Sequence, residues 1–121
     1  MVTMLRAFLT LIRCDIMLTF RGFPAVYAYV RKRPVGPKTD RDAASTCRVV
    51  AQACSWYPKR ALCLQRSTVL TCLLRRQGIN ARLVIGAGAI PFRAHAWVEV
   101  DGRVVNDNES VLRRYIVMER C

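Results

Sequence analysis

The period of the sequence changes at Gly78, and that change limits what the chain can build. Before it, apolar residues recur at steps of three and four; after it, they alternate. In residues 3 to 20, Thr3, Arg6, Thr10 and Arg13 form a polar stripe, with Leu5, Phe8, Leu9, Ile12 and Ile16 over the rest of the surface. This predicts a helix with an apolar face so wide that something must cover it. Arg21-Gly22 and Pro24 punctuate it, a short helix through Val26 to Lys32 follows, and Pro34-Val35-Gly36-Pro37 breaks the chain, so residues 33 to 39 read as a linker inside the domain. Thr39 or Asp40 can cap a helix reaching about Trp56, whose buried stripe is Ala43, Cys47, Val50, Cys54 and Tyr57. A further helix over roughly 61 to 77 ends in Arg75 and Arg76, whose charge suits the negative helix end, with Gly78 as a left-handed stop.

Beyond Gly78 the chain is β-rich. Arg82-Leu83-Val84-Ile85 ends at Gly86-Ala87-Gly88, and Ala94 to Val100 sets Ala94, Ala96, Val98 and Val100 on one face and His95, Trp97 and Glu99 on the other. Asp101-Gly102 marks a hairpin, with Arg103 to Asn106 as the return strand. A two-residue loop pairs Val100 with Arg103 and turns Asp107 away from His95, whereas a three-residue loop pairs Glu99 with Arg103 and sets Asp107 opposite His95. The second is favoured because it joins opposite charges across the ladder. A short helix after Glu109 and a last strand through Tyr115 to Val117 complete the reading, which is α+β.

At 121 residues the chain has room for one modest core. Its 20 Lys+Arg against 8 Asp+Glu leave a net charge of +12, which attracts polyanions of any kind. The basic residues are mostly arginines spread along the chain, with no zinc-finger, KH or RNP-type pattern, so a solvated basic face that steers an acidic partner is preferred to nucleic-acid binding. The six cysteines would suit a disulfide framework only in an exported chain. Arg6, Arg13, Asp15 and Arg21 interrupt the front segment too often for a signal peptide or a membrane span, so reduced thiols in the cytoplasm are expected. Zinc is not expected, since there is no CxxC pair and one histidine.

That histidine, His95, stands on the polar face at the start of a strand, with Asp107 expected beside it. A nucleophilic cysteine must be a thiolate, and the first turn of a helix lowers a thiol pKa through its exposed amide hydrogens. Cys63 occupies such a place, while Cys47 and Cys54 read as small core residues, Cys72 lies deep in the same helix as Cys63 and Cys14 lies in an apolar helix. The expected catalytic set is Cys63 as nucleophile, His95 as base and Asp107 as the group that orients the imidazole.

The run Cys63-Leu64-Gln65-Arg66-Ser67, the stretch from Leu73 to Gly86, the stretch from Pro91 to Gly102 containing His95-Ala96-Trp97-Val98-Glu99, and Asn106-Asp107 together resemble the leader peptidases of bacterial lasso-peptide biosynthesis. These are a transglutaminase-like branch of the papain-like superfamily. The similarity is close over about residues 60 to 110. It implies a papain-like or transglutaminase-like core with N-terminal helices packed on a small antiparallel sheet. It also implies one cysteine-protease domain over 1–121, with a helical front segment 1–38 and a catalytic core 39–121. The implied activity is removal of the leader from a lasso-peptide precursor through a Cys63 thioester, without cofactor or metal, in an antibiotic-biosynthesis setting. Implied partners are the precursor peptide, a separate winged-helix leader-recognition protein and an ATP-dependent cyclase. Arg66 and Ser67 are expected to support the site, and Trp97 and Phe92 to line a groove or to pack. Two rivals stand beside this reading: an acyltransferase on the same fold, and a non-catalytic basic module that binds protein or peptide.

Overall fold

A computed structural model describes residues 4–37, 43–56, 63–88, 94–107, 112 and 115–121. Four helices precede four strands: α1 (Met4–Arg21), α2 (Phe23–Lys32), α3 (Ala43–Trp56), α4 (Cys63–Arg76), β1 (Ala81–Gly88), β2 (Ala94–Val100), β3 (Arg103–Val104) and β4 (Tyr115–Arg120). The strands form one antiparallel sheet in the order β3-β2-β1-β4. The α+β expectation therefore holds, and the change of period falls where expected. Gly78, at φ 81°, ends α4: its amide bonds the Arg75 carbonyl at 3.1 Å and the Ile79 amide bonds the Leu74 carbonyl at 3.0 Å. These are the paired closing bonds of a glycine-terminated helix. The proposed caps Thr39 and Asp40, the stripe residue Tyr57, Phe92 and the short helix after Glu109 lie outside the described residues, apart from a helical Leu112.

α4 is the centre of the molecule. It lies on β1 and β2 with one side and against α1, α3 and α2 with the others, and every residue from Ser67 to Arg75 is buried. The main core joins Leu11, Val50, Leu70, Leu73 and Leu74 to Val98 on the sheet. On the opposite face of the sheet Trp97 and Val84 pack with Val104, Tyr115 and Val117. The alternation along β2 thus separates two apolar layers, Ala96 and Val98 facing the helices and Trp97 facing away. Among the described residues no helix is long and apolar enough to cross a membrane.

Gly86 makes the second layer possible. A β-carbon there would stand 2.7 Å from Trp97 Cη2 and 2.9 Å from Tyr115 Cβ, distances that no packed carbon tolerates. Gly86→Ala must therefore move a fully buried indole or the backbone of β4. It should cost about 1–3 kcal/mol, read from urea denaturation, as overpacked cores do. The same substitution at exposed Gly102, where a β-carbon meets nothing within 4 Å, should act only through its positive φ.

The hairpin corrects one expectation. Val100 pairs with Arg103 and Glu99 with Val104, so the loop is the two residues Asp101-Gly102. Both have positive φ, 53° and 78°, the backbone of a tight turn whose twist matches the strands. The charge pair that favoured the longer loop is worth only a few tenths of a kcal/mol in water. Glu99 is instead buried, accepting the Trp97 indole N–H at 3.0 Å and the Arg120 guanidinium at 3.1 Å.

Candidate functional site

His95 is the second residue of β2, and its Nε2 lies 2.5 Å from Asp107 Oδ2. In the two-residue register Asp107 should have faced away, yet it arrives because the ladder stops at Val104. The Val105 amide still bonds the Val98 carbonyl at 3.0 Å, but the Val98 amide is taken at 2.8 Å by Asn106 Oδ1, a side-chain oxygen. The Val105 carbonyl faces the Cys47 thiol instead, at 3.6 Å. By standing in for a strand carbonyl, Asn106 lets the chain bend through residues 105–107 and brings the next carboxylate to the imidazole.

Asn106 also fixes this bend to α4. Its Nδ2 donates to Ser67 Oγ at 3.0 Å, and Ser67 Oγ donates to the Ala96 carbonyl at 3.2 Å. One buried hydroxyl, a turn along α4 from Cys63, thus touches the residue after His95 and the residue before Asp107. Gln65 Nε2 donates to Asp15 Oδ1 at 3.0 Å, tying the first turn of α4 to α1. Ser67 thus holds the bend between His95 and Asp107, and Gln65 ties α4 to α1; the part played by Asp15, 50 residues before Gln65, carried no sequence signal.

A carboxylate can only accept, so in the neutral ring Nε2 carries the proton toward Asp107 and Nδ1 is left as the basic nitrogen. The ring is also held from the side: it stacks on Tyr115 with centroids 5.1 Å apart and lies 6.1 Å from the Trp97 ring. Trp97 is fully buried and packs, so of the two readings for it the structure takes packing. Tyr115, expected only as the start of a strand, is the residue that sequence reasoning missed; the signal lay in its pairing with Gly88, which no local pattern gives.

Cys63 is the first residue of α4, and its side chain lies outside the described residues. The first turn of this 14-residue helix contains no acidic side chain of its own, and the Asp15 carboxylate reaches it from α1 through Gln65. The other thiols differ. Burial, reinforced by nearby Cys72 and Asp15, pushes the Cys14 thiol up to about 12. Burial also raises Cys72 and Cys54, against the opposing pull of Arg33 on the one and Arg66 on the other. All three are protonated near neutrality and poor nucleophiles. Gln52 and Trp56, whose side chains carry N–H donors, are exposed on α3. Among the described residues no group of three His, Cys, Asp or Glu could hold a metal ion.

The profile of the Transglutaminase-like superfamily matches residues 8–120. The chain is 49% identical over 45 residues to the microcin J25-processing protein McjB of Escherichia coli, a stretch covering 37% of this chain and 22% of that protein. The match thus spans about a fifth of the length of the curated relative. No solved structure matches.

Proposed function

The chain belongs to the transglutaminase-like superfamily, and from that premise we propose that it is a cysteine peptidase that frees a lasso-type peptide from its leader, with Cys63, His95 and Asp107 as the reacting set. The observation that carries the proposal is the 2.5 Å His95–Asp107 hydrogen bond, held by Ser67 and Asn106 beside the helix that Cys63 opens. The similarity to a microcin-processing protein supports the substrate class.

In this reading the Cys63 thiolate adds to the scissile carbonyl, forming the C–S bond, and the Cys63 backbone amide stabilises the oxyanion. The C–N bond breaks as His95 passes its proton to the departing amine. Water then attacks the thioester, His95 takes its proton, and the leader leaves as a carboxylate while the thiol is restored. Asp107 holds the ring tautomer through both halves. The precursor peptide is the substrate, a separate winged-helix protein presents its leader, and an ATP-dependent cyclase takes the freed amine. Cytoplasmic location fits a reaction that needs a reduced thiol.

The test is the pH dependence of alkylation. Iodoacetamide at pH 6 should modify Cys63 roughly 10²-fold faster than Cys72, Cys54 or Cys14, because a thiolate held by imidazolium persists where buried thiols stay protonated. His95→Ala should erase the difference. If Cys63 reacts no faster than Cys72 in the parent chain, the reading becomes that of an inert basic binding module.

A further inference from the structure

The outer face of α1 is apolar where an outer face is normally polar. Ala7, Leu11 and Cys14 point into the core, and on the opposite side Leu5, Leu9, Ile16 and Phe20 are 68%, 56%, 52% and 81% exposed. With half-buried Ile12 they stand four, three, four and four residues apart, the spacing of a seam that receives another helix. Single exposed leucines are ordinary, but an aligned row is the mark of an interaction surface. So wide an apolar face requires a cover, and the described residues supply it on the inner side.

The flank of the seam is positive and concave. Leu5 and Leu9 border a groove of about 600 Å³ between α1, α2 and α4, lined also by Arg6, Arg13, Arg33 and Arg76 and, among the described residues, by no Asp or Glu. Arg33 is held in place by Tyr29, whose ring lies 4.4 Å below the guanidinium and whose hydroxyl accepts from it. These features select the occupant. A second copy of this chain would bring the same arginines against themselves. A nucleic acid would leave the apolar row in water, and a flat membrane would not reach arginines lining a concave groove.

We propose that this surface docks an amphipathic helix of a different polypeptide, its leucine-type side chains seated along α1 and its flanking carboxylates paired with Arg13, Arg33 and Arg76. The mode is helix-in-groove recognition, with apolar anchors giving affinity and charge giving orientation. It does not depend on whether Cys63 is a nucleophile.

The experiment is fluorescence anisotropy with the full chain and two fluorescein-labelled helical peptides of roughly 18 residues, long enough to span α1. One carries leucines at seam spacing with glutamate on both flanks; the other has glutamine at every glutamate. The glutamate peptide should bind at least about tenfold tighter, the discrimination that several charge pairs supply. Arg13→Glu with Arg76→Glu, and separately Leu9→Ser with Ile16→Ser, should each weaken it about tenfold or more, while Arg82→Glu with Arg103→Glu on the sheet leaves it within about twofold. Circular dichroism checks folding, and if a double variant melts early, Leu5→Ser and Arg13→Glu alone should still weaken binding measurably. Four results would each overturn the proposal: equal binding of the two peptides, equal loss in the sheet variant, a DNA duplex or phosphatidylglycerol vesicles bound more tightly through the same residues, or a dimer in sedimentation that Leu9→Ser disperses.

Discussion

Cys63→Ala should abolish release of the leader, by about 10⁴-fold or more, while the melting curve stays that of the parent. The size follows from chemistry: without sulfur there is no thioester, and what remains is binding and oxyanion stabilisation, which give small residual rates. His95→Ala should lose as much, because nucleophile and base act as one unit and their losses do not add in the double variant. The stack on Tyr115 means that alanine could also loosen the sheet, so His95→Gln, which keeps a planar side chain there, is the companion variant. Asp107→Ala should cost less, since the carboxylate sets the tautomer and takes no part in bond making. The measurement is mass spectrometry of a lasso-type precursor incubated with the chain and the proposed leader-presenting protein. Full leader release by Cys63→Ala would remove the proposal outright. A leader found amide-linked to an added amine, and never as free acid, would convert it to the acyltransferase on the same fold.

How far this site could be read from the sequence depends on how local each signal is. The start of α4 at Cys63 and its stop at Gly78 rest on residues within a few positions, and β2 declares itself by strict alternation from Ala94 to Val100. The hairpin register was misjudged because an exposed ion pair was weighed above the turn chemistry of Asp101-Gly102, which fixes two positive φ values in succession. The juxtaposition of His95 and Asp107 was nonetheless anticipated, for a reason that does not operate. Regular pairing does not deliver it; an asparagine side chain that interrupts the pairing does. Such a device is invisible to periodicity, which describes ladders and not their ends. The same holds for the stripe of α3, where Val50 is buried as expected but Thr46 and Ala53 are the other buried residues and Cys47 and Cys54 sit at the margin. Thr46 is there because its hydroxyl meets Gln77 Oε1 at 2.8 Å, a partner 31 residues away.

Arg75 is the furthest departure from a local reading, and its removal should have the largest effect on stability. Its neighbour Arg76 is exposed at the end of α4, where the helix dipole accounts for it. Arg75 is buried, and its guanidinium reaches four main-chain oxygens: Ala81 at 2.9 Å from Nε, Val30 at 2.6 Å and Arg33 at 3.2 Å from Nη1, and Cys121 at 2.5 Å from Nη2. Those oxygens belong to the end of α2, the start of β1 and the residue after β4, so one planar cation closes three segments that otherwise meet in the apolar cluster of Val30, Cys72, Leu83 and Cys121. Gly36 allows the linker to join them, its amide bonding the Arg75 carbonyl at 2.7 Å. Arg75→Met fills most of the volume but leaves those carbonyls facing a side chain that cannot donate. With charge-assisted bonds worth about 1.5–3 kcal/mol each and incompletely additive, the loss should be roughly 3–5 kcal/mol. That is a large share of the roughly 5–15 kcal/mol that holds a domain of this size. Arg75→Lys keeps the charge but offers one nitrogen where the fork offers three, and should fall between the two. Urea denaturation of parent, Arg75→Met, Arg75→Lys and Arg76→Met gives the comparison, with Arg76→Met expected within about 0.5 kcal/mol of the parent. Equal midpoints for Arg75→Met and Arg76→Met would mean that the four bonds are replaced by water at no net cost, and that α2 and the sheet are held together by the apolar contacts of Val30, Cys72 and Leu83 alone.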